Sequence, residues 1–301
     1  MRRVVVLPFL ALASCYGPAL LTDGTSVSHG AAANGVLRDG AELPMVGDGY
    51  QIAPSWRSRH ANYGTDEMVE ALVRIGRRLA RDFPGSEMLL GDLSYLGGRA
   101  SPRHHSHRNG RDVDVFYFST DQKGQWLGPY DAMIPFGADG RGRSWRQDRT
   151  WHSAPGRYFD DARNWGTVRA FLTDPGIEVQ WIFAHDALIR RMLGWATAHQ
   201  EDPALIARAS ALMVRPAGAL PHDDHMHIRI YCDPGDRPFG CVDVGPVRWM
   251  KKQLKYSGSR ALAALDAPPA APAASAAVVR GLPPVVRWIA LTPFTPLFSR
   301  W

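Results

Sequence analysis

Two short segments that lie far apart in the sequence contain six of the eleven histidines of the chain. The first segment is His104-His105-Ser106-His107-Arg108-Asn109-Gly110-Arg111-Asp112-Val113-Asp114, and the second is Pro221-His222-Asp223-Asp224-His225-Met226-His227. At the end of each segment, in Asp112-Val113-Asp114 and in His225-Met226-His227, His or Asp alternates with an apolar residue, which is the period of a β-strand, so that side chains two apart lie on one face. The chain is therefore expected to fold so that two distant strands bring their polar faces together.

The spacing of these residues predicts a metal site. His107 precedes Asp114 by seven residues, and Gly110 between them lets the chain turn. His225 and His227 are two residues apart on a predicted strand and share one face. If that face meets the face that carries Asp114, then His107, Asp114 and His227 can hold one Zn²⁺ ion with an open fourth position, as in hydrolytic zinc sites.

Several neighbouring residues have other predicted places. His225 would lie beside the metal as a base for a water molecule, because no HExxH motif supplies a glutamate for that task. Asp112 shares the strand face of Asp114 and is the rival carboxylate ligand. His105 and Asp224 are predicted to point away from the site.

The N-terminus has the features of an export signal. Met1-Arg2-Arg3 is a positive start, Val4 to Ala11 is a short apolar stretch, and Leu12-Ala13-Ser14-Cys15 is similar to a bacterial lipobox. This pattern predicts a lipoprotein signal peptide over 1–14 and a membrane anchor through lipidated Cys15. The protein would be periplasmic, and Tyr16 favours the outer membrane. An ordinary secretory signal with an incidental cysteine is the alternative.

Composition divides the rest of the chain. Residues 15–45 are rich in Gly, Ala, Ser and Thr and predict a lipid-anchored tether, 46–256 predict the zinc domain, and 257–301 predict an Ala/Pro-rich linker and apolar tail.

Cys232 and Cys241 enclose a turn-rich loop and predict a disulfide in an exported protein. The net charge of +6 suits an anionic wall polymer or membrane, whereas the scattered arginines predict no nucleic-acid partner.

The motifs resemble a known family. Similar segments are Gly91-Asp92-Leu93, Gly97-Gly98, the run from His104 to Asp114, and His222-x2-His225-Met226-His227-Ile228-Arg229 followed by Cys232-Asp233-Pro234. They resemble the penicillin-insensitive murein endopeptidases, which belong to the lysostaphin/D-alanyl-D-alanine metallopeptidase/Sonic hedgehog group of zinc peptidases. The resemblance extends from about Met45 to Lys255, and Arg111 stands where that family usually has an apolar residue.

The resemblance implies an α+β fold with a small antiparallel β-sheet flanked by helices and one zinc ion in the sheet cleft. It implies hydrolysis of D-alanyl–diaminopimelyl crosslinks in peptidoglycan. His107, Asp114 and His227 match the zinc ligands, and His225 matches the catalytic base. Two further histidines match additional active-site positions: His222 as a catalytic residue and His104 as a further metal-binding residue.

Two other functions are compatible with the same residues. A D,D- or L,D-carboxypeptidase on this scaffold would need a cationic group for the substrate carboxylate, and Arg99 or Arg103 could supply it. A non-catalytic zinc or cell-wall binding module is the other alternative. The presence of His225 and His222 argues against it, because a binding module has no use for a base.

Overall fold

The computed structural model describes residues 21–145, 151–216 and 219–245. The chain divides into two units, Met1–Gly245 and Pro246–Trp301, and the second unit lies outside the described residues. The signal peptide over 1–14, lipidation of Cys15 and the tail over 257–301 also fall outside them and stay predictions. Among the residues that the structure describes, no helix combines the length and apolarity needed to cross a membrane.

The described residues form helices and many short strands. The helices are α1 (Asp66–Asp82), α2 (Asp161–Leu172), α3 (Asp186–Ala198) and α4 (Pro203–Leu212). The strands are β1 (Val27–His29), β2 (Val36–Arg38), β3 (Ala41–Glu42), β4 (Val46–Gly47), β5 (Tyr50–Ile52), β6 (Tyr63–Gly64), β7 (Met88–Leu90), β8 (Asp112–Phe116), β9 (Ser119–Thr120), β10 (Arg141–Trp145), β11 (Trp151–Phe159), β12 (Val179–Phe183), β13 (Met213–Val214) and β14 (His225–Ile230). The predicted α+β class is confirmed.

The central sheet differs from the small antiparallel sheet that was predicted. It has seven strands in the order β13-β12-β14-β8-β7-β5-β4, and two of its neighbouring pairs, β12 with β13 and β5 with β7, are parallel. Parallel neighbours need a long crossover connection, which is usually helical. Here α1 lies between β5 and β7 in the chain, and α3 and α4 lie between β12 and β13. The antiparallel prediction is therefore wrong for these two pairs, because the strands that carry the motifs are only the middle of the sheet.

The two faces of the central strands have opposite characters. Val113 and Val115 of β8 and Met226 and Ile228 of β14 belong to the main hydrophobic core, together with apolar residues of all four described α-helices. Trp165 of α2 is the largest fully buried side chain of that core. The alternate residues of β8 and β14 point to the other face. The helices thus cover one face of the sheet and leave the polar face for a site.

The segment predicted as a tether contains ordered strands. The antiparallel pair β1–β2 and strand β3 lie within residues 15–45, and Leu37 and Leu43 are fully buried. The backbone N–H of Ser28 donates to Asp236 at 2.9 Å, and that of Gly30 donates to the carbonyl of Gly240 at 2.9 Å. Composition could not reveal this, because the segment is ordered by contacts with residues that lie about 200 positions later.

This N-terminal segment contacts the loop that the predicted disulfide closes. Cys232 and Cys241 are bonded. The backbone of Gly30 forms a bridge with Cys241, and the N–H of Val242 donates to the carbonyl of Gly30 at 3.1 Å. The disulfide loop and the start of the described chain therefore stabilise each other.

Arg111 joins these two segments to the sheet, and its replacement is expected to destabilise the fold. Its guanidinium is 1% exposed, pairs with Asp243 at 2.8 Å and donates to Ser28 Oγ at 3.2 Å. Breaking a buried ion pair costs about 3 kcal/mol or more, because one charge stays buried without its partner. We expect Arg111→Met to lower the free energy of unfolding by about that amount in urea titrations. An effect no larger than that of Arg38→Met, which alters an exposed arginine, would contradict this account.

Candidate functional site

The site is built by the register of two neighbouring strands. In the antiparallel pair β8–β14, Asp114 lies directly opposite His227, and Phe116 lies opposite His225. The strand period places these four side chains on the face that the helices leave uncovered. The two motifs are thus brought together as predicted, and the atoms that meet are cross-strand neighbours.

His107 reaches this face from the loop before β8. Its backbone has a φ of 62°, in the left-handed region that residues with a side chain rarely adopt. Gly110, at φ 81°, makes the turn that the sequence predicts, and a Cβ there would lie 2.7 Å from a Leu37 carbon. The ring of His107 donates from Nδ1 to the carbonyl of Leu93 at 2.9 Å. Its Nε2 is therefore left to face the strands.

Three ligand atoms converge in the site. His107 Nε2 and His227 Nδ1 are 3.2 Å apart, and each lies 3.3 Å from Oδ1 of Asp114. His107 and Asp114 are buried, and His227 is only 5% exposed. The three residues predicted as metal ligands therefore present one atom each to a common point.

The three facing atoms cannot hydrogen-bond to one another in the neutral rings, because each of them presents a lone pair and none presents a proton. His107 uses its Nδ1–H toward Leu93, and His227 uses its Nε2–H toward Asp112, so in the neutral rings both facing nitrogens carry lone pairs. Neither carboxylate oxygen of Asp114 has a hydrogen-bond donor, although both are buried. A buried carboxylate without a partner costs several kcal/mol. A cation at the centre of the three atoms would remove that cost.

His104 lies at the edge of this cluster. His104, His107 and Asp114 each offer a ligand atom within 4.8 Å of the others, so they also form a possible metal site. We favour the set with His227, because its atoms are closer together and because Nε2 of His104 contacts Asp92 at 2.9 Å. Nε2 of His104 is 3.7 Å from Asp114 Oδ2. His104 is thus placed to support the cluster through Asp92.

The electrostatics of the cluster keep its acids ionised. Burial alone would raise the pKa of Asp114, but the neighbouring His107 and His225 outweigh it and hold that pKa well below its usual range. Burial would likewise raise the pKa of Asp112, but the Arg229 guanidinium together with His227 and His107 outweighs burial and holds that pKa well below its usual range. The site therefore carries two carboxylate charges to attract a metal ion.

His225 has the environment of a general base. Nε2 of His225 lies 3.5 Å from Oδ1 of Asp114, and its Nδ1 donates to Asp224 at 2.6 Å. Asp224 was predicted to point away from the site, but it fixes the ring that faces the ligands. Burial lowers the pKa of His225, but the charge of Asp114 together with the hydrogen bond and charge of Asp224 outweighs burial and raises that pKa. A carboxylate behind an imidazole is the arrangement that orients such a base.

His222 completes the row of imidazoles. Its ring centroid is 5.1 Å from that of His225 and 5.9 Å from that of His227. Its backbone is in the left-handed region at φ 53°, and its Nδ1 lies 2.7 Å from the carbonyl of Leu220. His222, predicted as an active-site residue, therefore lies next to both the candidate base His225 and the candidate ligand His227.

His222 is expected to remain neutral across the physiological range. Burial, followed by the charges of His225 and His227, lowers its pKa from 6.5 to about 4. Because the folded pKa is depressed, the unfolded chain binds more protons, and this group stabilises the fold less as the pH falls from 6.5 toward 4. NMR of the ring should show no protonation of His222 between pH 8 and 5.5, whereas a midpoint near 6.5 would contradict the predicted burial.

The two arginines considered for a substrate carboxylate are not part of the cluster. Arg99 is exposed and its guanidinium lies 4.3 Å from the centroid of the Tyr95 ring. Arg103 is exposed. The guanidinium that the structure brings closer is Arg59, which contacts Asp92 at 2.9 Å, beside His104. Arg99 and Arg103 stay predictions, with no described contact to the metal ligands.

Sequence reasoning did not predict the supporting contacts that three acidic residues make with the histidines. Asp112 accepts from His227 and Arg229, Asp92 pairs with His104 and Arg59, and Asp224 holds His225. Strand parity predicts that Asp112 shares a face with Asp114. The register of β8 with β14 then sets Asp112 directly opposite Arg229. Asp92 belongs to the Gly91-Asp92-Leu93 segment of the resemblance, but its contacts could not be predicted locally, because its partners Arg59 and His104 come from two other segments of the chain.

Comparisons with known proteins agree with the motifs. The family model described as penicillin-insensitive murein endopeptidase matches residues 28–128, which include His104, His107 and Asp114. The penicillin-insensitive murein endopeptidase of Haemophilus influenzae is 29% identical over 236 residues, which cover 75% of this chain and 70% of the relative. That of Salmonella paratyphi B is 28% identical over 217 residues, covering 71% and 69%. That of Klebsiella pneumoniae is 32% identical over 94 residues, covering 31% and 33%.

The family match begins at residue 28, within the strands that replace the predicted tether, and it ends before the second histidine segment. The longer alignments cover most of the chain at under a third identity. The resemblance inferred from the two histidine motifs is confirmed: this chain is similar in sequence to the penicillin-insensitive murein endopeptidases.

Proposed function

We propose that the protein is a zinc-dependent murein endopeptidase that hydrolyses D-alanyl–diaminopimelyl crosslinks of peptidoglycan. The observation that carries this proposal is the convergence of His107, Asp114 and His227, with neither buried carboxylate oxygen of Asp114 receiving a hydrogen bond. The names of the relatives support peptidase activity on murein. The zinc ion and the particular crosslink are our inference from the donor set and the family resemblance.

The donor set fits zinc. Zn–N and Zn–O bonds of about 2.0 to 2.2 Å in a tetrahedron separate the ligand atoms by about 3.3 to 3.6 Å. The three ligand atoms are 3.2, 3.3 and 3.3 Å apart, close to that edge length. Two imidazoles and one carboxylate leave a fourth position open, which is the composition of a catalytic rather than a structural zinc site.

The chemistry divides between the ion and the protein. When bound, zinc supplies a Lewis acid that polarises a peptide carbonyl and makes water acidic enough to react near neutral pH. His225 would accept the proton of the attacking water at Nε2, because its Nδ1 is engaged by Asp224. The same ring can return that proton to the leaving amine.

The remaining histidines are assigned to orientation. His222 is neutral and its Nδ1–H faces the carbonyl of Leu220, so its Nε2 can accept a hydrogen bond from a water molecule beside His225. His104 is held by Asp92, and its Nε2 lies 3.7 Å from Oδ2 of Asp114, so it would line the site beside that carboxylate. We also propose that the protein acts in the periplasm and is anchored through Cys15.

The test is digestion of isolated sacculi by the full-length protein, purified in detergent, with and without a chelator. Chromatography and mass spectrometry of the products should show chelator-sensitive conversion of crosslinked dimers to monomers, restored by added zinc. Release of free D-alanine alone would instead identify a carboxypeptidase. Binding to sacculi without any product would identify a binding module.

A further inference from the structure

One carboxylate behind the candidate metal site contacts both histidine ligands. Oδ1 of Asp112 accepts from Nε2 of His227 at 3.2 Å, and Oδ2 accepts from the backbone N–H of His107 at 2.9 Å. Asp112 is fully buried, so these bonds are not shared with bulk water. The two ligands belong to segments far apart in the chain, and Asp112 links them directly.

Each bond has a separate consequence for the ligands. A neutral imidazole has one N–H, and the partner of that N–H determines which nitrogen is left for a metal. Because Asp112 takes the Nε2–H of His227, the lone pair of that ring is on Nδ1, the atom 3.3 Å from Asp114. The bond to the backbone of His107 holds a residue at φ 62°, a conformation that costs about 1 kcal/mol or more without support.

Arg229 keeps Asp112 in position for both tasks. The guanidinium donates from Nε to Oδ1 of Asp112 at 2.6 Å and from Nη2 to Oδ2 at 3.3 Å, which is the two-point geometry of an arginine–carboxylate pair. The two residues lie directly opposite each other on β8 and β14. Arg229 itself lies over the ring of Phe183, which packs edge-on against His227.

We propose that Asp112 and Arg229 are a positioning pair that sets the affinity for the metal by fixing Nδ1 of His227 and the backbone of His107. The proposal rests on the zinc site of the proposed function. Neither residue touches substrate or the ion. Partners that orient metal-bound histidines in this way typically contribute about 10- to 100-fold to metal affinity.

The alternative is that this pair only stabilises the sheet. An ion pair of the same kind lies elsewhere in the fold: Arg74 donates to both oxygens of Asp174, which is buried, at 3.0 and 2.8 Å. Asp174→Asn is therefore a matched control, because it removes the charge of a buried two-point pair away from the metal ligands. A purely structural role predicts that the two aspartate variants behave alike.

The test compares Asp112→Asn, Arg229→Gln and Arg229→Lys with wild type and with Asp174→Asn in the full-length protein. Zinc affinity is measured by competition with a chromogenic chelator, and the tautomer of His227 is determined from its ring ¹⁵N shifts. We expect Asp112→Asn and Arg229→Gln to weaken zinc binding about 10- to 100-fold, with part of the loss recovered in Arg229→Lys. The shifts in Asp112→Asn should show a smaller share of the Nε2–H form of His227, because a neutral amide oxygen accepts from that N–H more weakly than the carboxylate does.

The outcomes separate this proposal from the function. If wild type binds no zinc, the proposed function fails. If wild type binds zinc and Asp112→Asn binds it equally well with an unchanged His227 tautomer, the positioning pair is refuted. If Asp112→Asn does not fold, Arg229→Gln decides in the same way. An equal loss of zinc affinity in Asp174→Asn would also refute it.

Discussion

Asp114→Asn is expected to abolish both zinc binding and murein hydrolysis while the fold is retained. The carboxylate lies 3.3 Å from each of the two facing imidazole nitrogens and has no hydrogen-bond donor of its own. Removing its charge eliminates the anionic ligand, whereas the neutral amide has the same size and is easier to bury. We expect the zinc content of the purified variant to fall to background and product release from sacculi to become undetectable, with a circular dichroism spectrum like that of wild type.

The control for this variant is a histidine of the same loop. His105 is exposed and contributes no atom to the cluster, so His105→Ala should keep both zinc and activity. Full zinc content in Asp114→Asn would contradict the assignment and favour a site that does not need this carboxylate. Equal losses in His105→Ala would mean that the loop as a whole, rather than the ligand, is responsible.

His225→Ala is expected to separate catalysis from metal binding. The ring lies beside the three ligand atoms and is fixed by Asp224, so its loss removes the base but none of the three ligands. General base catalysis contributes about 10²- to 10⁴-fold. We therefore expect kcat on crosslinked muropeptides to fall by that factor, with zinc affinity within a few-fold of wild type.

A second variant tests the orientation of this base. In Asp224→Asn the amide oxygen can still accept from Nδ1 of His225, but the charge is lost, so the decrease in kcat should be smaller than in His225→Ala. The assignment is wrong if His225→Ala retains full activity. A loss of zinc in His225→Ala as large as in Asp114→Asn would make His225 a ligand instead of a base.

The centre of the site was predictable because it depends on strand periodicity. Alternation along 112–116 and 225–230 fixes which side chains share a face, and the antiparallel register then places Asp114 opposite His227. Gly110 marks the turn that lets His107 approach, and its φ of 81° is the conformation that a glycine supplies there. Local sequence patterns were therefore sufficient to predict the candidate ligands and the candidate base.

The parts that were not predictable depend on contacts between distant segments. Strands β1 to β3 have a composition typical of a linker, and they are ordered by contacts of β1 with the disulfide loop and by the pairing of β3 with β6. The parallel pairs of the sheet depend on where helical crossovers return. Asp92 supports His104 and Arg59 from a loop with no periodicity of its own. In each case the structure depends on a contact with a distant segment, and the local sequence does not show which segment that is.

Anomalous diffraction from crystals of the zinc-loaded protein tests the central claim most directly. Data collected on both sides of the zinc absorption edge should give one strong peak within bonding distance of His107 Nε2, His227 Nδ1 and Asp114 Oδ1. It should leave His225 and Asp112 outside the first coordination sphere. A peak bound to Nε2 of His227, or one held by His104 and Asp92 without His227, would contradict the account.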